Sequence, residues 1–179
     1  MGIDNLVRLE SRNANTEGCK EITIRDLIKT SLRMRPSRIV VGEVRGMEAM
    51  DMVCSAMNCG HDGSMSTVHA NSASDTIARL ETMILMAAAL PINAIRRQIG
   101  SGVDIIVHLG RMRDKSRRVL EIVELSGDSN DEIVINPIFR FVEDKNATRE
   151  RVSGKLEKIG AIKDETKLEN AGLLKAASS

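Results

Sequence analysis

Residues 38–46 read RIVVGEVRG, and this stretch decides the fold. Ile39, Val40 and Val41 form an uninterrupted β-branched run, which suits a parallel strand with both faces covered. The run delivers Glu43 to its C-terminal tip, where open α/β sheets bind their ligands. A carboxylate there can hold Mg²⁺, directly or through water, or orient an attacking water. Gly42 and Gly46 permit tight backbone paths on either side of it. The plainer reading is a strand ending in a solvated Glu43 paired with Arg45, and the pattern alone does not separate the two.

Upstream, Thr23 opens a helix with Asp26 at capping-box spacing, and Ile24, Leu27, Ile28 and Leu32 fall on one of its faces. Pro36 is expected to stop that helix. Before it, residues 6–10 (LVRLE) alternate like a short strand and SRNANTEGCK reads as a loop. Downstream, a helix is expected over 47–58, with Ala49, Met50, Val53 and Met57 inward and Gly60 just past its end. Residues 64–68 (SMSTV) form a second short strand. Ser72 and Asp75 repeat the capping-box spacing, ahead of a helix striped by Ile77, Leu80, Ile84 and Ala88. Pro91 starts a further helix carrying Ile92, Ile95 and Ile99.

Strand-like segments then follow at 103–109, 118–125 and 132–142, with a turn signal in SGDSND at 126–131. Residues 144–179 are charged, weakly periodic and end in AASS, and are expected to form short amphipathic helices. The alternating strands and helices up to about residue 110 predict an α/β fold with a partly parallel sheet. The later strands read as an antiparallel annex.

Composition sets the outer bounds. The 179 residues are enough for one domain at roughly 100–200 residues per domain. With two Phe and no Trp or Tyr, the core must be aliphatic, and the ten Met, clustered around Met47, Met50, Met52 and Met57, read as flexible core filling. A net charge of +1 gives no argument for nucleic-acid binding through bulk charge. No apolar run reaches the roughly 18–20 residues of a membrane span, and charges interrupt the N-terminal stretch that a signal peptide would need apolar. An odd three Cys without paired spacing suit a reducing cytoplasm and no zinc site.

A second motif is GHDGSMSTVHANS, residues 60–72. His61 and His69 bracket the second strand, and a helix N-terminus follows, so His69 can contact phosphate. The alternatives are that both histidines merely bond loop backbone, or that His61, Asp62 and His69 hold a metal, for which the spacing is unusual. Arg8, Arg12, Arg25, Arg33, Arg35, Arg38 and Arg45 each carry a guanidinium that matches phosphate oxygens, although a surface arginine is usually only solvated.

The run RDLIKTSLRMRPSRIVVGEVRG, followed by GHDGSMSTVHANS and RLETMILMAA, resembles the type II/type IV traffic ATPases that power secretion and pilus assembly. It looks most like the branch that assembles tight-adherence (Tad or Flp) pili. The resemblance runs from about Asn5 to Phe141. It implies a RecA-like core over residues 1–143, with 144–179 as a charged tail. RIVVGEVRG is then similar to an atypical Walker B box, with Gly42 where most P-loop enzymes have Asp. Glu43 takes the acidic role near Mg²⁺ and water. The second motif is similar to the His box, which gives His69 a contact toward the γ-phosphate of ATP, with His61 nearby. Arg8, Arg12, Arg25 and Arg45 are implied as nucleotide contacts. The resemblance also implies a homo-hexamer at the cytoplasmic face of the cell membrane, pushing on a platform protein, with no direct nucleic-acid partner.

The sequence departs from the family in one major respect. The phosphate-binding loop GxxxxGK[ST] and an acidic Asp box belong upstream of Met1, and the only Gly-Lys pair, Gly154-Lys155, is followed by Leu156. Met1 is expected to be an internal methionine of a longer protein or a misplaced gene start. The chain alone is expected not to hydrolyse ATP. Its core would lack the P-loop strand, leaving a gap between the 64–69 and 103–109 strands and a marginally stable or associating molecule. The alternative function is a non-catalytic remnant or partner module that co-assembles with an intact ATPase.

Overall fold

The computed structural model describes residues 4–14, 18–127 and 132–173. Helix α1 (Ile24–Leu32) begins as the sequence dictates. The Thr23 hydroxyl accepts from the Asp26 amide at 3.1 Å, and the Asp26 carboxylate accepts from the Thr23 amide at 3.0 Å. The helix ends at Leu32, earlier than Pro36 requires, because Arg33 caps it and Arg35 takes a left-handed backbone with φ 53. Strand β1 (Val40–Val41) pairs in parallel with β2 (Met65–Ser66), in the register Val40 with Met65 and Val41 with Ser66.

Between those strands the chain forms α2 (Glu48–Met50), which continues into a π-helical stretch, Asp51–Met57. The expected helix is thus present but wound more loosely over most of its length. Gly60 follows with φ 79, a conformation that favours glycine. Helix α3 (Ala73–Ala87) has its Ser72 hydroxyl accepting from the Asp75 amide at 3.0 Å, the forward half of the expected box. Helix α4 (Ile92–Gly102) starts after Pro91.

A second sheet of four strands runs β3 (Ile105–Arg111), β4 (Arg117–Gly127), β5 (Ile133–Glu143) and β6 (Gly154–Lys158), antiparallel throughout. This is the predicted annex, but it extends further than the sequence suggested. Residues 154–158 were expected to be helical; instead they pair with β5, from Phe139 opposite Lys158 to Glu143 opposite Gly154. The helical part of the tail is α5 (Thr166–Asn170). Most of the SGDSND turn and the AASS end lie outside the described residues, as does part of the 11–20 loop.

The core is aliphatic, as composition requires. Ile84, Ile95 and Ile99 are fully buried, with Met52, Val53 and Ala56 of the π-helical stretch packed among them. Asn58 locks that stretch to α4, its amide donating to the Val53 and Gln98 carbonyls at 2.8 and 2.9 Å. Gly102 is needed at this crossing, since a Cβ there would lie 2.5 Å from the Asn58 amide nitrogen.

Two expectations fail for one reason. Residues 6–10 form no strand and are exposed, and the nearby pairing is a single antiparallel bridge between Arg12 and Ile22. Val40 is 67% exposed, so β1 is covered on one face and open on the other. Alternating or branched residues specify a strand and its buried faces only where another layer comes to meet them.

Candidate active site

Glu43 and His69 come together at the tips of β1 and β2. The ladder continues past Val41, because the Val44 amide donates to the Thr67 carbonyl at 3.0 Å and the Thr67 hydroxyl donates to the Gly42 carbonyl at 2.7 Å. These bonds bind the two motif-bearing loops to each other. His69 Nε2 then stands 3.0 Å from Glu43 Oε1, while Arg45 Nη2 stands 2.6 Å from Oε2. The carboxylate is largely sheltered, whereas His69 and Arg45 face solvent.

The Arg45 guanidinium, hydrogen-bonded to Glu43, holds that carboxyl below the usual carboxylate range; burial opposes the shift and His69 adds to it. Glu43 is therefore ionised at neutral pH. Oε1 is cut off from water, and its approach to the imidazole is a close contact rather than a well-aligned hydrogen bond. Among the described residues it accepts no hydrogen bond. A buried carboxylate oxygen in that state fits a cation or an ordered water.

The loop carrying Arg45 is fixed from below. Glu48 Oε1 accepts from the Arg45 and Gly46 amides at 2.6 and 3.0 Å, at the start of α2. Sequence reasoning missed this brace and that of Thr67. The available signal for the first was a carboxylate two and three residues beyond the amides it caps.

The remaining predicted residues are placed as follows. His61 Nδ1 donates to the Pro36 carbonyl at 2.7 Å, and Ser64 links the same loop to β1 by accepting from the Ile39 amide at 3.1 Å. Arg25 is paired with Asp51, a buried residue of the π-helical stretch. Arg12 donates to the Lys20 carbonyl at 3.3 Å, and Arg8 lies in the exposed 6–10 segment. None of these four contacts Glu43 or His69 among the described residues. His61, Asp62 and His69 do not converge on a metal position, since no group of three His, Cys, Asp or Glu side chains does so among the described residues.

Beside the pair lies a cleft of about 630 Å³ between β2 and β3. Its walls are residues 61–70 on one side and 102–109 on the other. Among the described residues, strand β2 pairs only with β1 and β3 only with β4, so each offers a free edge there. His61, His69 and His108 all line this cleft. No described helix is long and apolar enough to cross a membrane.

Comparison with known proteins shows the family to which the chain belongs. The family model described as "Type II/IV secretion system protein" matches residues 5–158. A "Putative conjugal transfer protein" of Mycobacterium tuberculosis is 44% identical over 121 residues, covering 68% of this chain and 34% of that protein. The conjugal transfer protein TrbB of Rhizobium radiobacter is 35% identical, covering 67% of this chain and 36% of its own length. Among solved structures, the VirB11 ATPase of the Brucella suis type IV secretion system, in complex with sulphate, matches with a TM-score of 0.54 and 35% identity, over 57% of this chain and 32% of that one. The chain spans about a third of the length of the curated relatives it matches.

Proposed function

The chain belongs to the type II/IV secretion system protein family, and we propose that it is the C-terminal part of an ATPase that powers secretion or pilus assembly. The observation carrying this reading is the 3.0 Å contact between Glu43 and His69, which brings two sequence motifs to one strand-tip site. The reaction is hydrolysis of ATP to ADP and phosphate. Glu43 orients the attacking water and accepts its proton, because it is ionised and keeps a sheltered oxygen without a donor. His69 presents an imidazole to the γ-phosphate from the solvent side of the carboxylate. Arg45 holds Glu43 in place.

Mg²⁺ would be held by Glu43, directly or through water, and would neutralise triphosphate charge. Arg8, in the exposed N-terminal segment, is available to the nucleotide, and Arg12 would reach it by releasing the Lys20 carbonyl. Arg25 and His61 are engaged by Asp51 and the Pro36 carbonyl, and would reach a phosphate only by leaving those partners.

These residues contain no GxxxxGK[ST] loop, so the backbone cradle for the β- and γ-phosphates comes from peptide outside them. The cleft between the free edges of β2 and β3 is where the strand leading to such a loop would fit. The motif strings favour the tight-adherence pilus branch, with a homo-hexamer at the cytoplasmic face of the membrane working on a platform protein.

The test is a graft. The part of this chain that aligns with the Brucella suis VirB11 ATPase, 57% of its residues, replaces its counterpart there, and ATP turnover is measured. The reading expects turnover that falls about 100-fold or more with Glu43→Gln. A graft that folds, binds ATP and turns it over equally well with Gln at 43 would sink it. The 179-residue chain alone is expected to show no turnover above its own Glu43→Gln control.

A further inference from the structure

After β6 the chain runs on beside β5 and then crosses to β4 at one end of the four-stranded sheet. The Ile159 and Gly160 amides donate to the Ile138 carbonyl on β5 at 2.8 and 3.2 Å. Asn136, also on β5, donates to the Ala161 carbonyl at 2.8 Å. The next anchor is Glu124 on β4. This carboxylate is 5% exposed, yet it accepts from the Lys163 amide at 3.0 Å, the Asp164 amide at 2.9 Å and the Asn136 side chain at 2.7 Å. Burial disfavours its charge, and these donors outweigh burial, so the carboxyl is held below its ordinary range. Helix α5 then places Lys167 at the edge of the cleft. Its ammonium lies 2.7 Å from the Asp104 carboxylate, at the entry to β3, and 3.8 Å from Asp62, in the loop leading to β2.

We propose that residues 159–170 form a strap that sets the width of the cleft between β2 and β3, with Glu124 as its fixed anchor and Lys167 as the clasp joining the two walls. The physical basis is simple. Asp62 and Asp104 come from opposite walls and both fall within reach of one ammonium. Without that ammonium two like charges face each other across the cleft and push the walls apart. The clasp is exposed to solvent, so it is weak and releasable; the anchor is buried, so it is durable. Releasing the clasp changes the cleft without unfolding the tail. The loop it holds includes Asp62, next to His61, so the state of the C-terminal segment is transmitted to the loop that leads to His69. This holds whether or not the site hydrolyses ATP.

Hydrogen exchange followed by mass spectrometry on the full 179-residue chain tests it. Lys167→Ala is expected to speed exchange in peptides covering 61–68 by about two- to fivefold, the range open to a solvent-exposed ion pair. The 159–164 amides should stay protected. Lys167→Arg should behave as wild type. Lys167→Ala combined with Asp104→Asn should recover most of the protection, because the repulsion is gone. The proposal is overturned if Lys167→Ala leaves exchange at 61–68 unchanged, or if adding Asp104→Asn recovers nothing. Because the readout is backbone protection and not turnover, failure here is distinguishable from failure of the ATPase reading.

Discussion

Glu43 and His69 touch across two strands, oxygen to nitrogen at 3.0 Å, at the end of the ladder that joins Val41 to Ser66. In the VirB11 graft, His69→Ala and Glu43→Gln are each expected to lower turnover by about 10²–10⁴. The double variant should be little worse than the poorer single one, because the two groups act as a unit. Steady-state kinetics on the four proteins checks this. Fully multiplicative losses would mean that the contact has no part in the chemistry.

Thr67→Val removes the hydroxyl that donates to the Gly42 carbonyl at 2.7 Å while keeping the side chain's shape. The expected loss is about 1 kcal/mol of stability, the net worth of one such bond. In the graft, turnover should fall more than nucleotide affinity, since the bond fixes the relative position of two strand tips and touches no ligand. Urea titration followed by far-ultraviolet circular dichroism gives the first number, and a comparison of kcat with KM gives the second.

Asp114 supplies a pH dependence whose sign is fixed. Its carboxylate accepts from the Ser116 hydroxyl and amide at 2.6 and 3.0 Å and from the Val152 amide at 2.8 Å. These bonds pull its pKa from an ordinary 3.8 to about 2, with the Ser116 hydroxyl contributing most. The folded state therefore favours the ionised form. The stabilisation is complete above pH 3.8 and disappears as the pH falls through about 2. Melting temperatures of wild type and Asp114→Asn should differ at pH 5 and converge toward pH 2. A gap that persists at low pH would contradict the assignment.

Ile99 is fully buried against the π-helical stretch. Ile99→Ala is expected to cost about 2–5 kcal/mol, the usual price of a core truncation that leaves a cavity. Ile92→Ala, on the same helix but 42% exposed, should change stability by far less. Equal effects at the two positions would mean that α4 packs by a different face.

What could be read from the sequence was whatever local chemistry determines. Thr23 and Ser72 announced their helices because a cap needs only the amides of the next turn. Ile39 to Val41 announced a strand, and the two motifs flanking the two strands marked Glu43 and His69, which the fold brings into contact. The unread parts depend on distant neighbours. Residues 154–158, GKLEK, look like any charged surface segment until β5 offers an edge. The π-helical winding over 51–57 uses residues that also suit an α-helix. Whether Val40 is covered depends on a layer that its own sequence does not specify. The Glu48 and Thr67 braces were hidden for a related reason, since a carboxylate or hydroxyl has several amides and carbonyls within its local reach.

The all-aliphatic interior around Ile84, Ile95 and Ile99 has a spectroscopic corollary. With no indole and no phenol anywhere in the chain, the molecule is nearly dark at 280 nm, and its tertiary packing gives no tryptophan or tyrosine emission. Phe139 and Phe141, on the strand that β6 joins, are its only chromophoric rings. An indole introduced at Phe139 would light up the docking of β6, while the helical half of the molecule would remain optically silent.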